Sequence, residues 1–203
     1  TSDKKRRRKG VISFLKDPKN LDAVDIIHET HKEGLFIIPG EKRIDGEAYD
    51  MNILLGEGIK GYLRMENLFK EDIFKSFDFI FIDLPPSKDK IVANAMMAAD
   101  YYLIPVEASD YCLDGIEELI SFINEAKEYN DKLELLGMYM PIVDMRLGAT
   151  KKLIKELKES LGDAFIDIGI PTNSKIPNLP LQKKTIFDLE KRFSKGQKEY
   201  LAL

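Results

Sequence analysis

From about residue 76 onward, short apolar runs alternate with longer segments in which apolar residues recur every three or four positions. That is the pattern of strands alternating with amphipathic helices. Phe79, Ile80, Phe81 and Ile82 form an unbroken apolar run closed by Pro85 and Pro86. It is too short for a helix and does not alternate, so it predicts a strand buried on both faces, as in the centre of a parallel sheet. Further strands are predicted over 101–106, 133–140 and 165–168. Helices are predicted over 88–99, with Ile91, Ala95 and Ala98 inward, and over 110–129, with Leu113, Ile116, Ile120 and Ile123 as one stripe. Two more are predicted over 149–161, with Leu153, Ile154, Leu157 and Leu161 inward, and over 187–203. The upstream part is less regular. Amphipathic segments at 11–16 and 21–28 flank Asp17-Pro18, and 35–38 reads as a short buried strand ended by Pro39-Gly40. Residues 46–55 and 60–75 read as helical, with Leu63, Leu68, Ile73 and Phe74 as anchors.

Strands separated by helices require crossover connections. The predicted fold class is therefore α/β, a doubly wound, mainly parallel sheet with helices on both faces. At 203 residues the chain has the length of one domain and can bury a real core. Its 44% apolar and 33% charged residues are ordinary for a globular protein. The net charge of -4 argues against a uniformly basic nucleic-acid binder while leaving room for a local patch. Such a patch exists in sequence: Lys4 to Lys9 is six consecutive cations, read either as a solvated loop or as a phosphate contact. The single cysteine, Cys112, excludes an internal disulfide and a cysteine-based zinc site, and reads as a small residue at a strand-to-helix junction. His28 and His31, three apart, could share a helix face but have no third ligand nearby. No run approaches the ~20 apolar residues of a spanning helix and no signal peptide is visible, so a cytoplasmic location is expected.

The chemistry concentrates at Asp83. A carboxylate at the carboxyl end of a buried strand stands where open α/β sheets bind ligands. Apolar strand, Asp and turn is also the form of a Walker B element, whose carboxylate serves Mg²⁺ and the attacking water. A strand ending in Asp is common, and a helix cap or turn residue is the competing reading. A Walker B element implies a glycine-rich loop with Lys-Ser/Thr, and none is found. Gly56 to Gly61 has glycines and a lysine but no such ending, and reads as a helix break.

Asp83-Leu84-Pro85-Pro86-Ser87, then Asn94-Ala95, then Ala98 to Val106 resemble the ParA/Soj branch of the MinD-type partition ATPases. The resemblance continues through Leu113-Asp114-Gly115, Gly137 to Arg146, Ile170 to Ile176 and Lys184 to Asp188. It implies a chain that begins after the phosphate-binding βαβ unit, so that 1–203 is expected to be a single, N-terminally incomplete nucleotide-binding domain. By the same resemblance Asp83 takes the catalytic Walker B role and stands in the second shell of Mg²⁺, and Pro85 and Pro86 shape the loop after it. Met140, Pro141, Pro171, Thr172 and Asn173 fall where the family lines its adenine pocket. Pro141 departs from the family's polar residue there and removes a backbone donor. The resemblance implies DNA contacts at Arg146 and Lys175, and Lys151, Lys152, Lys155 and Lys158 add a basic face on one helix that would extend them. Solvated lysines interleaved with Glu156 and Glu159 are the plainer reading of that helix.

The function implied is that of a prokaryotic, nucleoid-associated ATPase for plasmid or chromosome partitioning. Its cofactors would be ATP or ADP with Mg²⁺. Its partners would be a second copy with ATP, non-specific DNA and a centromere-binding (ParB-like) protein that stimulates hydrolysis. Without the glycine loop the 203 residues alone are expected to be inactive. The alternative is a non-catalytic scaffold or positioning protein on the MinD/ParA fold. Residues 194–203 are too short and mixed for an amphipathic membrane anchor, and no membrane partner is expected.

Overall fold

The computed structural model describes residues 9–41, 43–44, 47–48, 58–85, 87–107, 112–144, 146–174, 176–188 and 197–203. The chain divides into two compact units: 1–99 with 123–132, and 100–122 with 133–203.

In the first unit, α1 (Val11–Lys16) begins at Gly10, where a Cβ would stand 2.0 Å from the Pro39 carbonyl oxygen. Only glycine allows that approach. The helix has no cap of its own. Instead the Ser13 amide and hydroxyl both donate to the Glu41 carboxylate, each at 2.7 Å, which satisfies a first-turn donor from 28 residues away. The expected helix over 21–28 is instead a 3-10 turn, Ala23–Ile26, followed by β1 (His28–Glu29). His28 and His31 therefore share no helix. β1 pairs antiparallel with β2 (Phe36–Ile37), and β3 (Arg43–Ile44) with β4 (Glu47–Ala48). The strand expected over 35–38 is thus found only in part, and it is exposed rather than buried, because its one partner is two residues long. Of the helix expected over 46–55, residues 47–48 lie in β4, and 46 and 49–55 lie outside the described residues.

The segment 60–75 breaks into α2 (Ile59–Tyr62), α3 (Arg64–Phe69) and a 3-10 turn, Asp72–Ser76. Gly58, at φ 76°, starts α2 in a conformation that side chains rarely adopt. Leu68 and Phe74 join Phe14, Ala23 and Ile26 in the core, with Phe69 and Phe74 edge-to-face at 5.1 Å. α4 (Lys90–Ala98) is capped by Asp89, whose carboxylate accepts from the amides of Ile91 (3.1 Å) and Val92 (3.3 Å). Its buried set is Val92, Asn94, Ala95 and Met96. Asn94 accepts from the Met65 amide at 2.8 Å and donates to the Gly61 carbonyl, so that a polar side chain knits three helices. At the other end Asn130 donates to the carbonyls of Met96 (2.8 Å) and Ala99 (2.9 Å), closing the helix terminus.

The second unit is built on three parallel strands in the order β5-β6-β7: Tyr101–Pro105, Glu134–Val143 and Phe165–Pro171. Each crossover carries a helix, α5 (Cys112–Lys127) and α6 (Gly148–Leu161), as the sequence pattern predicts. Ile116 and Ile123 of α5 and Leu157 of α6 are buried. Lys158 of α6 reaches Asp167 of β7 at 2.5 Å. The 3-10 turn Ile186–Asp188 and α7 (Gln197–Ala202) account for the described parts of the expected helix over 187–203. β6 runs on past 140 through Pro141. A central strand tolerates proline only where the ladder is already interrupted, and the register with β7 shifts between Met140 and Val143. Pairing with β5 stops at Pro105 opposite Tyr139, two residues before the proline that has no amide to offer.

The run Phe79 to Ile82 overturns the reading of a strand buried on both faces. It is not a strand, and Phe79 and Phe81 are 80% and 91% exposed, their rings side by side at 6.4 Å. An apolar run becomes a strand only when its amides are paired, and no described strand pairs with this one.

Candidate functional site

Asp83 stands exposed beyond this run, and no hydrogen bond or ion pair to it forms among the described residues. After Leu84 the chain turns at Pro85, whose carbonyl accepts from the Ser87 amide at 2.8 Å. The cap of the following helix is Asp89, so the capping role that competed for Asp83 belongs to a different carboxylate. The Ser87 hydroxyl oxygen is buried and finds no partner among the described residues. Pro86 lies outside them. No group of three or more His, Cys, Asp or Glu that could hold a metal ion occurs among the described residues. A single exposed carboxylate can serve Mg²⁺ only together with waters and substrate phosphates, as is usual for that ion.

In the second unit the ends of β6 and β7 bring several expected residues together. Pro171 is opposite Val143, and the Thr172 amide donates to the Val143 carbonyl at 3.0 Å. Thr172 is exposed there, while Asn173 and Pro141 are half-buried. Met140 is different: it is buried in the core opposite Gly169, three residues back from this rim.

The turn after β6 carries Arg146, 89% exposed at its side chain. Its Nε donates to Asp144 Oδ1 at 2.8 Å and its Nη2 to Oδ2 at 2.5 Å, while its amide also donates to Oδ1 at 3.0 Å. The hydrogen bond to Asp144 and the charge of that carboxylate hold the guanidinium above its ordinary value. On α6, Lys152 faces Glu156 at 3.5 Å and Lys155 faces Glu159 at 3.7 Å. Lys151 is exposed and forms no ion pair among the described residues. Lys175 and Lys4 to Arg8 lie outside them. Sequence reasoning passed over Asp144, although an Asp two residues before an Arg in a turn is the spacing of a side-chain-to-backbone turn and of a local ion pair.

A family model described as an AAA domain matches residues 1–135. The sporulation initiation inhibitor protein Soj of Bacillus subtilis (strain 168) is 30% identical over 183 residues, 90% of this chain and 70% of that protein. The chain belongs to the ParA/Soj family of partition ATPases. The chromosome partitioning protein ParA of Caulobacter vibrioides (strain NA1000 / CB15N) is 27% identical over 185 residues, 89% of this chain and 67% of that one. Among solved structures, cobyrinic acid a,c-diamide synthase from Mycobacterium smegmatis with bound ATP analog and magnesium aligns at a TM-score of 0.72 and 19% identity, covering 94% of this chain and 68% of that one. The ParA/Soj chain thus has the α/β fold of the MinD-type nucleotide hydrolases, with a parallel sheet and crossover helices. No helix among the described residues is long and apolar enough to cross a membrane.

Proposed function

We propose that this ParA/Soj chain works as the nucleotide-controlled DNA-binding switch of a plasmid or chromosome partition system. Residues 1–203 act within one nucleotide-binding domain. ATP joins two copies, the pair holds DNA without regard to sequence, and a centromere-binding partner stimulates hydrolysis and release at the nucleoid. The ordered match to Soj over 183 residues carries this reading, and the exposed Asp83 after its apolar run supports it.

Asp83 would help to hold Mg²⁺ and orient the attacking water, and the ion would supply charge stabilisation at the phosphates. Pro85 shapes the loop behind Asp83. Pro141, Pro171, Thr172 and Asn173 line the base at the strand ends, over a floor that includes Met140. Arg146, Lys151, Lys152 and Lys175 meet DNA phosphates, so binding weakens with salt and ignores sequence.

The test uses the native gene product with ATP, non-specific DNA and its partner. Asp83→Asn is expected to keep ATP-dependent DNA retention and to lose turnover by about a hundredfold or more, the range of a general acid-base or water-orienting group. DNA retention that ignores ATP, with no turnover in the unaltered protein, would instead identify a non-catalytic scaffold on the same fold.

A further inference from the structure

We propose that Asp144 is a built-in brake on Arg146, setting how strongly this residue engages phosphate and up to what salt concentration. The proposal rests on the reading of Arg146 as a DNA contact and deepens it. A guanidinium recognises a phosphate through a fork of two N–H groups. The Nε–Nη2 fork of Arg146 is already filled by the two oxygens of Asp144, at 2.8 and 2.5 Å. The carboxylate is itself held by the Arg146 amide at 3.0 Å, so the turn presents it to the guanidinium whether or not DNA is near.

Two consequences follow from this geometry. First, the turn is neutral as a unit: one cation and one anion, in a chain whose net charge is already -4. A phosphate approaching Arg146 meets a carboxylate beside its target. Second, the exchange is easy. With the guanidinium side chain 89% exposed, the ion pair is the weak surface kind that salt and competitors disrupt. Asp144 therefore attenuates without abolishing. The same pattern recurs on α6, where Glu156 faces Lys152 and Glu159 faces Lys155. Those are ordinary i,i+4 helix pairs, whereas the Asp144 pair is bidentate and also tied to the backbone.

The test compares Asp144→Asn, Arg146→Ala and the double variant of the full native protein for ATP-dependent binding to a short random-sequence duplex. Binding is measured over roughly 50 to 200 mM salt. Asparagine can keep the backbone hydrogen bond through its remaining carbonyl oxygen, while it removes the charge and replaces the second acceptor of the guanidinium fork by a donor. Asp144→Asn is expected to tighten binding, by less than about eightfold at 0.1 M salt, and to steepen the log–log salt slope by part of about 0.9, the whole effect of one phosphate contact. Arg146→Ala is expected to flatten the slope by the remaining part of that ~0.9. In its background Asp144→Asn should lose its effect, because the brake acts through Arg146. Weaker or unchanged binding by Asp144→Asn, with Arg146→Ala still impaired, overturns the brake and leaves the DNA reading standing. No effect of Arg146→Ala overturns both.

Discussion

Tyr102 and Tyr139 show how burial at single residues becomes a pH dependence of the whole fold. Burial raises both phenols above the ordinary value of 10.0, and for Tyr139 the neighbouring Tyr200 adds to the effect. A raised value favours the protonated folded form. The contribution is therefore complete below the unfolded value near 10.0 and is lost as pH climbs through the folded values. Denaturant midpoints are expected to fall above about pH 10, with a shallower fall in Tyr139→Phe. Phenolate absorbance that titrates identically in folded and unfolded protein would contradict this. At the same scale, the position of the candidate charges was legible in the sequence: Asp83 and Arg146 are charges at turns after apolar runs, and both are exposed. What the sequence could not reveal was partnership. That Asp89 and not Asp83 caps the helix, and that Asp144 occupies Arg146, are matters of distance.

Among elements, the helices and strands that alternate from residue 88 to 171 were read correctly, and the run 79–82 and the shorter upstream segments were not. Helices α4, α5 and α6 carry their own apolar period, and the Asp89 cap starts α4. β5, β6 and β7 are held between such helices along the chain, and the alternation fixed them. The segment 79–82 has the composition of a strand, yet a strand is made by its neighbours' amides. Within the sheet, Gly137 lies against the Ile166 side chain. A Cβ there would lie 2.5 Å from Ile166 Cδ1 and 2.6 Å from Cγ1. Gly137→Ala is expected to destabilise by about 1 to 3 kcal/mol, the usual effect of overpacking. Because the clash is with the ethyl arm of one side chain, whose terminal carbon valine lacks, Gly137→Ala is expected to cost less in an Ile166→Val background. A denaturant double-mutant cycle reads the coupling. Additive effects would mean that backbone conformation, and not the contact, sets the requirement for glycine.

For the molecule as a whole, the dominant liability is the apolar segment that pairs with nothing described. Two neighbouring phenylalanines at 80% and 91% exposure are the kind of surface that recruits dyes and other chains. The 203-residue chain is expected to bind a hydrophobic dye, and Phe79→Asp with Phe81→Lys should lower both dye signal and light scattering. Equal dye binding in the variant would place the sticky surface elsewhere, with Leu181 and Leu201 as the most exposed of the other aliphatic candidates. The two units are interleaved along the chain, which leaves the first after Ala99 and returns to it for residues 123–132. Asn130, which closes the end of α4, belongs to the returning segment. On a ribosome adding about 5 to 20 residues per second, Asn130 is made roughly 1.5 to 6 s after Ala99. For that interval the carbonyls of Met96 and Ala99 must wait for the residue that will hold them, so the first unit, though begun first, stays incomplete while the opening stretch of the second, residues 100–122, is made.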